Sequence, residues 1–304
     1  MISIDEIKNF FQGSILVNEP MSKYTSMRVG GPADLLITPA NKEDAVNLIT
    51  YLQKNIIDYI VIGNGTNLLV SDDGVRSVVV NFSSGLNQIK IENKLVKAEA
   101  GIILARFVDF CIRQSRGGVE KLAGIPGTIG GAILMNAGAY GSQISDFICE
   151  IEIVRDGELQ KIKKEDANFG YRTSGFVNSA IIGASFDLPD GKIDELLRTK
   201  TDYLQRRNQS QPLNFPNSGS IFKNPEGNYA AKLIEEAGLK GTRLGAAQIS
   251  EKHGNFIVNL GDCSANDIIQ LINIVRKTVY SKNKIKLIPE IKLVGFNNEV
   301  LDEF

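Results

Sequence analysis

The stretch "LAGIPGTIGGAILMNAGAYG" (122–141) constrains this chain more than any other, because it places Gly124, Gly127, Gly130, Gly131, Gly138 and Gly141 in one run with Pro126 and very few charges. Each such glycine costs a regular helix or strand roughly 0.5–1 kcal/mol relative to alanine, since a bare backbone loses the most freedom on folding. So many are retained where the backbone must bend sharply or let a flat ligand lie against it. The alternative is close packing of backbone on backbone.

A second glycine loop lies upstream in "VIGNGTNLLVSD" (61–72), where one strand runs into Gly63-Asn64-Gly65-Thr66-Asn67 and another strand follows. The Rossmann fingerprint requires a third glycine that opens a helix, so that a pyrophosphate meets the helix N-terminus. Leu68 occupies that position. No G-x-x-x-x-G-K-[ST] occurs either, which excludes a P-loop NTPase. The loop can still present consecutive N–H groups as a nest for phosphate; read alone, it could equally be an ordinary hairpin loop.

With 304 residues, two or three domains are expected. A formal net charge of −1 gives no electrostatic footprint for nucleic acid, and any anionic ligand must be held by local groups. "MISIDEIKNF" is acidic where a signal peptide needs a basic segment, and no apolar run approaches the roughly 20 residues of a membrane span. A cytoplasmic protein without membrane insertion is expected; protein partners are not legible. Cys111, Cys149 and Cys263 are far apart with no C-x-x-C spacing, which argues against a disulfide framework and a zinc site, so no metal is expected. His253 is the sole histidine and rules out any scheme that needs two.

Periodicity predicts a helix over 42–55 capped by Asn41 with Asp44 three positions on, then strands at 58–63, 67–72 and 77–82. A strand pair turns at Asn93, and a helix through "IILARFVDFCIRQSRGG" is expected to stop at Gly117-Gly118. Strands follow around a turn at Asp156-Gly157 and in "SAIIGASFDL", then a polar helix over about 191–206. "RRNQSQPLNFPNSGS" reads as a loop at a domain boundary. Beyond it come helices in "NYAAKLIEEAG" and in "SANDIIQLINIVRKTVYSK" behind a Ser264…Asp267 cap, and a strand-like end "IKLIPEIKLVGF".

The motifs "GNGTNLLVSD", "AGIPGTIGGAILMNAGAYG", "GYRTSGF", "GSIFKNP" and "PEIKLVG", in that order and preceded by "TSMRVGGPADLLI", resemble the UDP-N-acetylenolpyruvoylglucosamine reductase (MurB) family from about Tyr24 to Gly295. The resemblance implies an α+β fold: a two-part FAD-binding region of the vanillyl-alcohol-oxidase (PCMH) type plus a C-terminal α+β substrate-binding domain. The corresponding stretches are 1–84, 85–207 and 208–290, with a tail over 291–304 that returns to the FAD-binding region. It implies FAD as cofactor, NADPH as hydride donor, and reduction of the nucleotide sugar UDP-N-acetylglucosamine enolpyruvate to UDP-N-acetylmuramate in peptidoglycan precursor synthesis. No extra segment separates "YRTSGF" from "SAIIGASF", so the chain is similar to the family's short-loop type II.

Carried over by position, the resemblance implies cofactor contacts at Gly63, Asn64, Gly65, Thr66, Asn67 and Leu68, at Gly124, Ile125, Pro126, Gly127, Thr128, Gly130 and Gly131, and at Asn136, Gly138 and Ile182. Arg172 matches the family's arginine and Glu290 its catalytic glutamate. A guanidinium suits a planar carboxylate through paired N–H bonds. Arg207, Lys223 and Asn224 are expected at the substrate, with His253 and Asn255 beside them and Tyr24 and Arg28 as further candidates.

Ser220 invites a nucleophile reading because it follows a glycine, but no G-x-S-x-G elbow surrounds it and the serine-hydrolase scheme needs a base. Its reading here is a proton donor to a strongly basic enolate-like carbon. A Ser-Lys dyad with Lys223, another FAD oxidoreductase of the same fold, and a non-catalytic nucleotide-sugar or flavin-binding module remain alternatives. No cysteine or histidine lies in the two glycine loops, so FAD is expected to be non-covalent.

Overall fold

The computed structural model describes residues 4–297 and 299–301. The N-terminal part comprises α1 (Ile4–Lys8), β1 (Ser14–Pro20), β2 (Pro32–Thr38), α2 (Lys42–Lys54), β3 (Tyr59–Ile62), β4 (Leu68–Val70) and β5 (Val75–Asn81). Then come β6 (Ile89–Glu92), β7 (Leu95–Glu99), α3 (Leu104–Arg113), α4 (Ile129–Leu134), β8 (Gly138–Ala139), β9 (Ser142–Gln143), β10 (Ile148–Arg155), β11 (Glu158–Lys163), β12 (Ala180–Phe186) and α5 (Ile193–Ser210). The last part holds α6 (Ala230–Glu236), β13 (Arg243–Leu244), β14 (Ala247–Ile249), β15 (Ile257–Asn259), α7 (Ala265–Asn283) and β16 (Lys292–Val294).

Two compact units result. One takes the chain up to Val17, Leu35–Asn64 and Ser77–Arg206; the other takes Asn18–Asp34, Gly65–Arg76 and everything from Arg207. Contact density thus divides the chain differently from the consecutive stretches 1–84, 85–207 and 208–290, because two N-terminal segments belong with the C-terminal part.

In the first unit a five-stranded sheet runs β11-β10-β12-β7-β6, and a second sheet orders β1-β2-β5-β3. β12 sits centrally and every one of its residues is buried, which its small and branched composition "AIIGASF" permits. The outer hairpins close on residues with positive φ, Asn93 (51°) and Lys94 (70°) between β6 and β7, and Asp156 (53°) and Gly157 (74°) between β10 and β11. Positive φ at both turn positions matches the twist of antiparallel strands. α3 buries Leu104, Phe107, Val108, Cys111 and Ile112 on one stripe, with Phe107 4.6 Å from Phe186 of β12. In α2, Asn41 Oδ1 accepts the Asp44 N–H at 3.0 Å. The Asp44 carboxylate is buried but satisfied by the Gln12 and Ala40 N–H groups.

Two element boundaries depart from expectation. α3 ends before the glycine pair, because Ser115 turns left-handed (φ 56°) and the Arg116 N–H closes on the Cys111 carbonyl at 2.9 Å. α5 reaches Ser210 rather than 206, so "RRNQS" is helix; the breaker is Pro212, which disfavours helical geometry at the preceding residue.

The second unit packs α6 and α7 with the sheet β13-β14-β15 around Ile221, Phe222, Leu233, Ile234 and the α7 stripe Ile268–Val279. Ser264 and Asp267 cap α7 reciprocally, at 3.0 and 3.2 Å. Asp72 adds acceptors for the Ala265 and Asn266 N–H groups at 2.8 and 3.0 Å, so the first-turn donors find carboxylate or hydroxyl oxygens. β16 pairs parallel with β4, Leu293 opposite Leu69. Among the described residues no helix is long and apolar enough to cross a membrane.

Candidate active site

In the first unit Gly63, at the start of the upstream glycine loop, meets the second glycine loop. Gly63 follows β3, and a Cβ there would lie 2.2 Å from Thr128 Oγ1. Thr128 is the N-cap of α4, its hydroxyl accepting the Gly131 N–H at 3.5 Å. The second loop is stitched onto residues 100–102: Ile129 N–H bonds the Ile102 carbonyl and Gly130 N–H the Ala100 carbonyl, both at 2.8 Å. A Cβ on Gly130 would come within 2.9 Å of Ala100 Cβ. Close packing, the alternative left open for the second run, therefore accounts for Gly130, and Gly63 is bare because the Thr128 side chain lies against it. Gly131, with its nearest neighbour at 3.7 Å, and Pro126 instead face outward. Neither 63–68 nor 123–131 holds a charged side chain. In that sense Gly63-Asn64 and the second loop fit a flavin dinucleotide: small, uncharged main chain offering N–H groups where phosphate charge would need donors.

"GYRTSG" docks on the end of the same glycine run. Gly170 bridges Thr173, and Arg172 between them has φ 55°, a costly conformation for arginine. Asn136 Nδ2 donates to the Gly170 carbonyl, Ser174 Oγ to the Leu134 carbonyl and Arg172 Nη2 to the Gly138 carbonyl, at 3.0, 2.9 and 2.9 Å. The Arg172 guanidinium also lies 5.1 Å from the centre of the Tyr171 ring. Asn136, expected against the cofactor, is 1% exposed, and its amide further bonds Gln143 Oε1 and the Ser145 N–H. It acts as the strut of this turn. Ile182 is buried in β12 with its carbonyl accepting the Ala100 N–H, so its side chain belongs to the core. Sequence reasoning missed Tyr140, at the tip of the β8–β9 hairpin with φ 54°: its ring lies 4.6 Å from Tyr203 of α5, whose ring carries the Arg206 guanidinium at 5.5 Å. A tyrosine wedged between hairpin glycines was the available signal.

The second unit brings Ser220, Lys223 and Glu290 together. Phe222 bridges Pro289; the Glu290 N–H donates to the Ile221 carbonyl at 2.7 Å, and the Lys223 N–H to the Ile288 carbonyl at 2.9 Å. Asn67 holds Glu290 from the other side, its Nδ2 donating to the Glu290 carbonyl at 3.1 Å while its own carbonyl accepts the Lys292 N–H at 2.9 Å. A side chain expected at the cofactor thus anchors the glutamate segment. Gly219 (φ 76°) places the turn before Ser220, with its N–H on Asn217 Oδ1 at 3.0 Å. Asn224 Oδ1 accepts the Ala230 N–H at the start of α6, and Arg207 lies in α5. His253 and Asn255 sit in the β14–β15 loop. Asn255 is 4% exposed and both ends of its amide bond Phe222, so its expected substrate contact gives way to a backbone clamp. His253 Nδ1 accepts the Asn255 N–H at 3.3 Å, and burial pushes the imidazole below its ordinary range, against the pull of Glu235. Tyr24 donates to Glu19 and its carbonyl packs against Gly65, while Arg28 takes a left-handed φ of 56°. Among the described residues no group of three or more His, Cys, Asp or Glu side chains could hold a metal ion.

Residues 211–294 match the family described as UDP-N-acetylenolpyruvoylglucosamine reductase, C-terminal domain, and residues 33–163 match an FAD binding domain family. The chain is 41% identical over 298 residues to the UDP-N-acetylenolpyruvoylglucosamine reductase of Caldanaerobacter subterraneus subsp. tengcongensis, covering 97% of this chain and 98% of the relative. It is 39% identical over 309 residues to the Chloroherpeton thalassium enzyme of the same name, covering 99% of both. Among solved structures it is similar to the UDP-N-acetylenolpyruvylglucosamine reductase (MurB) of Thermus caldophilus, with a TM-score of 0.81, 34% identity and coverage of 94% of this chain and 100% of that one.

Proposed function

We infer that this chain, which belongs to the UDP-N-acetylenolpyruvoylglucosamine reductase family, divides that reaction among Arg172, Ser220 and Glu290. The protein is an FAD-dependent reductase of peptidoglycan precursor synthesis with NADPH as hydride donor, and its α+β fold joins a vanillyl-alcohol-oxidase-type FAD-binding region to the family's C-terminal domain. FAD, held by the main chain of the glycine loops, would supply the two-electron hydride chemistry between NADPH and the enolpyruvyl group.

Once the methylene carbon has gained hydride, the adjoining carbon and carboxylate carry enolate-like charge, and the protein must stabilise that charge and protonate the carbon. Arg172 offers a guanidinium in a preset, strained geometry, suited to the carboxylate. Ser220 Oγ delivers its proton to the carbon, and solvent restores it afterwards. Glu290 holds the enolic form or relays the proton. The observation that carries this reading is the 2.7 Å bond from the Glu290 N–H to the Ile221 carbonyl, which fixes the glutamate one residue from Ser220. A hydrolase reading lacks its base, because the sole histidine is a half-buried acceptor for the Asn255 N–H.

Lys223 and Arg207 bind the substrate diphosphate, and Asn224 the sugar or uracil edges. The glycine loops and Gly138 hold FAD through main-chain donors. A cytoplasmic location accords with the NADPH requirement. The test is to follow each half-reaction by flavin absorbance. In Ser220→Ala, reduction by NADPH persists, while reoxidation by UDP-N-acetylglucosamine enolpyruvate slows about 10²-fold or more. A variant slowed chiefly in the NADPH step would overturn the assignment of Ser220.

A further inference from the structure

One side chain in the β14–β15 loop takes hold of the Ser220 segment at consecutive backbone groups. Asn255 Oδ1 accepts the Phe222 N–H at 2.9 Å, Asn255 Nδ2 donates to the Phe222 carbonyl at 2.8 Å, and the Asn255 carbonyl accepts the Ile221 N–H at 2.9 Å. On the opposite edge, the Ile221 carbonyl accepts from Glu290 and the Lys223 N–H donates to Ile288. Residues 221–223 are therefore clamped between Asn255 on one side and the Glu290 strand on the other. Phe222 is 2% exposed and Asn255 4%, so water does not compete for these bonds. A primary amide offers an acceptor and a donor in one plane, which matches both the N–H and the carbonyl of a single residue.

Asn255 is itself fixed. Its N–H lies on His253 Nδ1, and the His253 ring packs edge-on to Phe256 at 4.7 Å. The loop closes through Ser250, whose Oγ accepts the Lys252 and His253 N–H groups at 3.1 and 3.4 Å and whose N–H bonds the Phe256 carbonyl at 2.9 Å. Toward the active residues the chain is freer, since Gly219 immediately precedes Ser220 in a left-handed conformation open to any movement of the turn.

We propose that Asn255 is a positioning residue for the reductive step: through Phe222 it sets the Ser220 hydroxyl against the Glu290 segment without touching substrate. This rests on the roles assigned to Ser220 and Glu290 above. Loss of the amide leaves the Ser220 segment held from the Glu290 side alone, and a displacement of the hydroxyl on the order of 1 Å costs about a hundredfold in rate.

The test uses FAD-loaded enzyme and the two half-reactions in Asn255→Leu, which keeps the shape of the side chain and loses both bonds to Phe222, and in Asn255→Ser, which is too short to span the Phe222 N–H and carbonyl; neither introduces charge into the buried site. Ser220→Ala is measured alone and combined with each. The expected result is NADPH reduction at the wild-type rate, reoxidation by UDP-N-acetylglucosamine enolpyruvate slowed about tenfold to a hundredfold at saturating substrate, and double variants no slower than Ser220→Ala, because Asn255 acts through that hydroxyl. Wild-type reoxidation in either folded, FAD-binding variant overturns the proposal. So do additive losses in the double variants, or equal slowing of both half-reactions, which mark a merely structural role. If Ser220→Ala alone reoxidises normally, the assignment of Ser220 fails instead, and the two failures are distinct.

Discussion

Two hydroxyls stand two residues apart in "NSGS", and their surroundings set opposite expectations. Ser218 is 3% exposed, and its Oγ has no hydrogen-bond partner among the described residues. A buried, unsatisfied hydroxyl costs about 1–3 kcal/mol. Ser218→Ala is therefore expected to raise stability by up to about 1 kcal/mol in urea unfolding and to leave both half-reactions unchanged, whereas Ser220→Ala slows the second. A slowed reoxidation in Ser218→Ala would mean that its hydroxyl meets a ligand. His253 gives a pH dependence. Burial lowers its pKa, partly offset by the Glu235 carboxylate and reinforced by the Lys240 ammonium, so the native state takes up a proton less readily than the unfolded chain. The neutral ring thus contributes stability that is fully present above the unfolded value of about 6.5 and is lost as pH falls through the lower native value. Urea unfolding between about pH 7 and about pH 5 should show a shallower loss in His253→Gln than in wild type. An unchanged slope would show that His253 is not the titrating group.

At the scale of elements, local signals proved readable and long-range ones did not. The Asn41 and Ser264 caps, the Asp156-Gly157 turn and the α3 stripe each depend on residues within one turn of chain, and each forms as the sequence indicates. The end of α3 was misplaced because Ser115, not a glycine, adopts the left-handed terminating conformation. The roles of Asn67 and Asn255 were hidden for another reason: their amides bond main-chain groups 223 and 33 residues away, and nothing in the local sequence distinguishes such a clamp from a ligand contact. The glycine loops were legible as loops, but their mutual contact was not. That contact is testable. A methyl group on Gly63 must displace Thr128, whose hydroxyl caps α4. Gly63→Ala should lose about 1 kcal/mol from the cap and bind FAD more weakly in a fluorescence titration, and wild-type affinity would show that the loops tolerate separation.

For the molecule as a whole, the question is how the cofactor stays in place, and the side chains that could bond it covalently answer against attachment. The usual flavin tethers are a nucleophilic cysteine or histidine. Cys111 is fully buried, and its thiol is pushed far above the ordinary range by desolvation. Burial pushes Cys263 up to about 12 and raises Cys149 as well, so none of the three supplies thiolate near neutral pH. His253 has Nδ1 engaged with Asn255 and lies in the C-terminal unit, outside both glycine loops. FAD should therefore be held without a covalent bond and exchange with solution. Acid precipitation is expected to leave all the flavin in the supernatant, and the recovered apoprotein to regain its visible spectrum on addition of FAD. A reversible ligand also stabilises by mass action: free FAD at about a hundred times its Kd should add about 2.7 kcal/mol to the folded state. The unfolding temperature should accordingly climb with FAD concentration, which a tethered flavin would not allow. Flavin that precipitates with the protein, together with a melting temperature indifferent to added FAD, would show that a covalent bond forms despite these thiols.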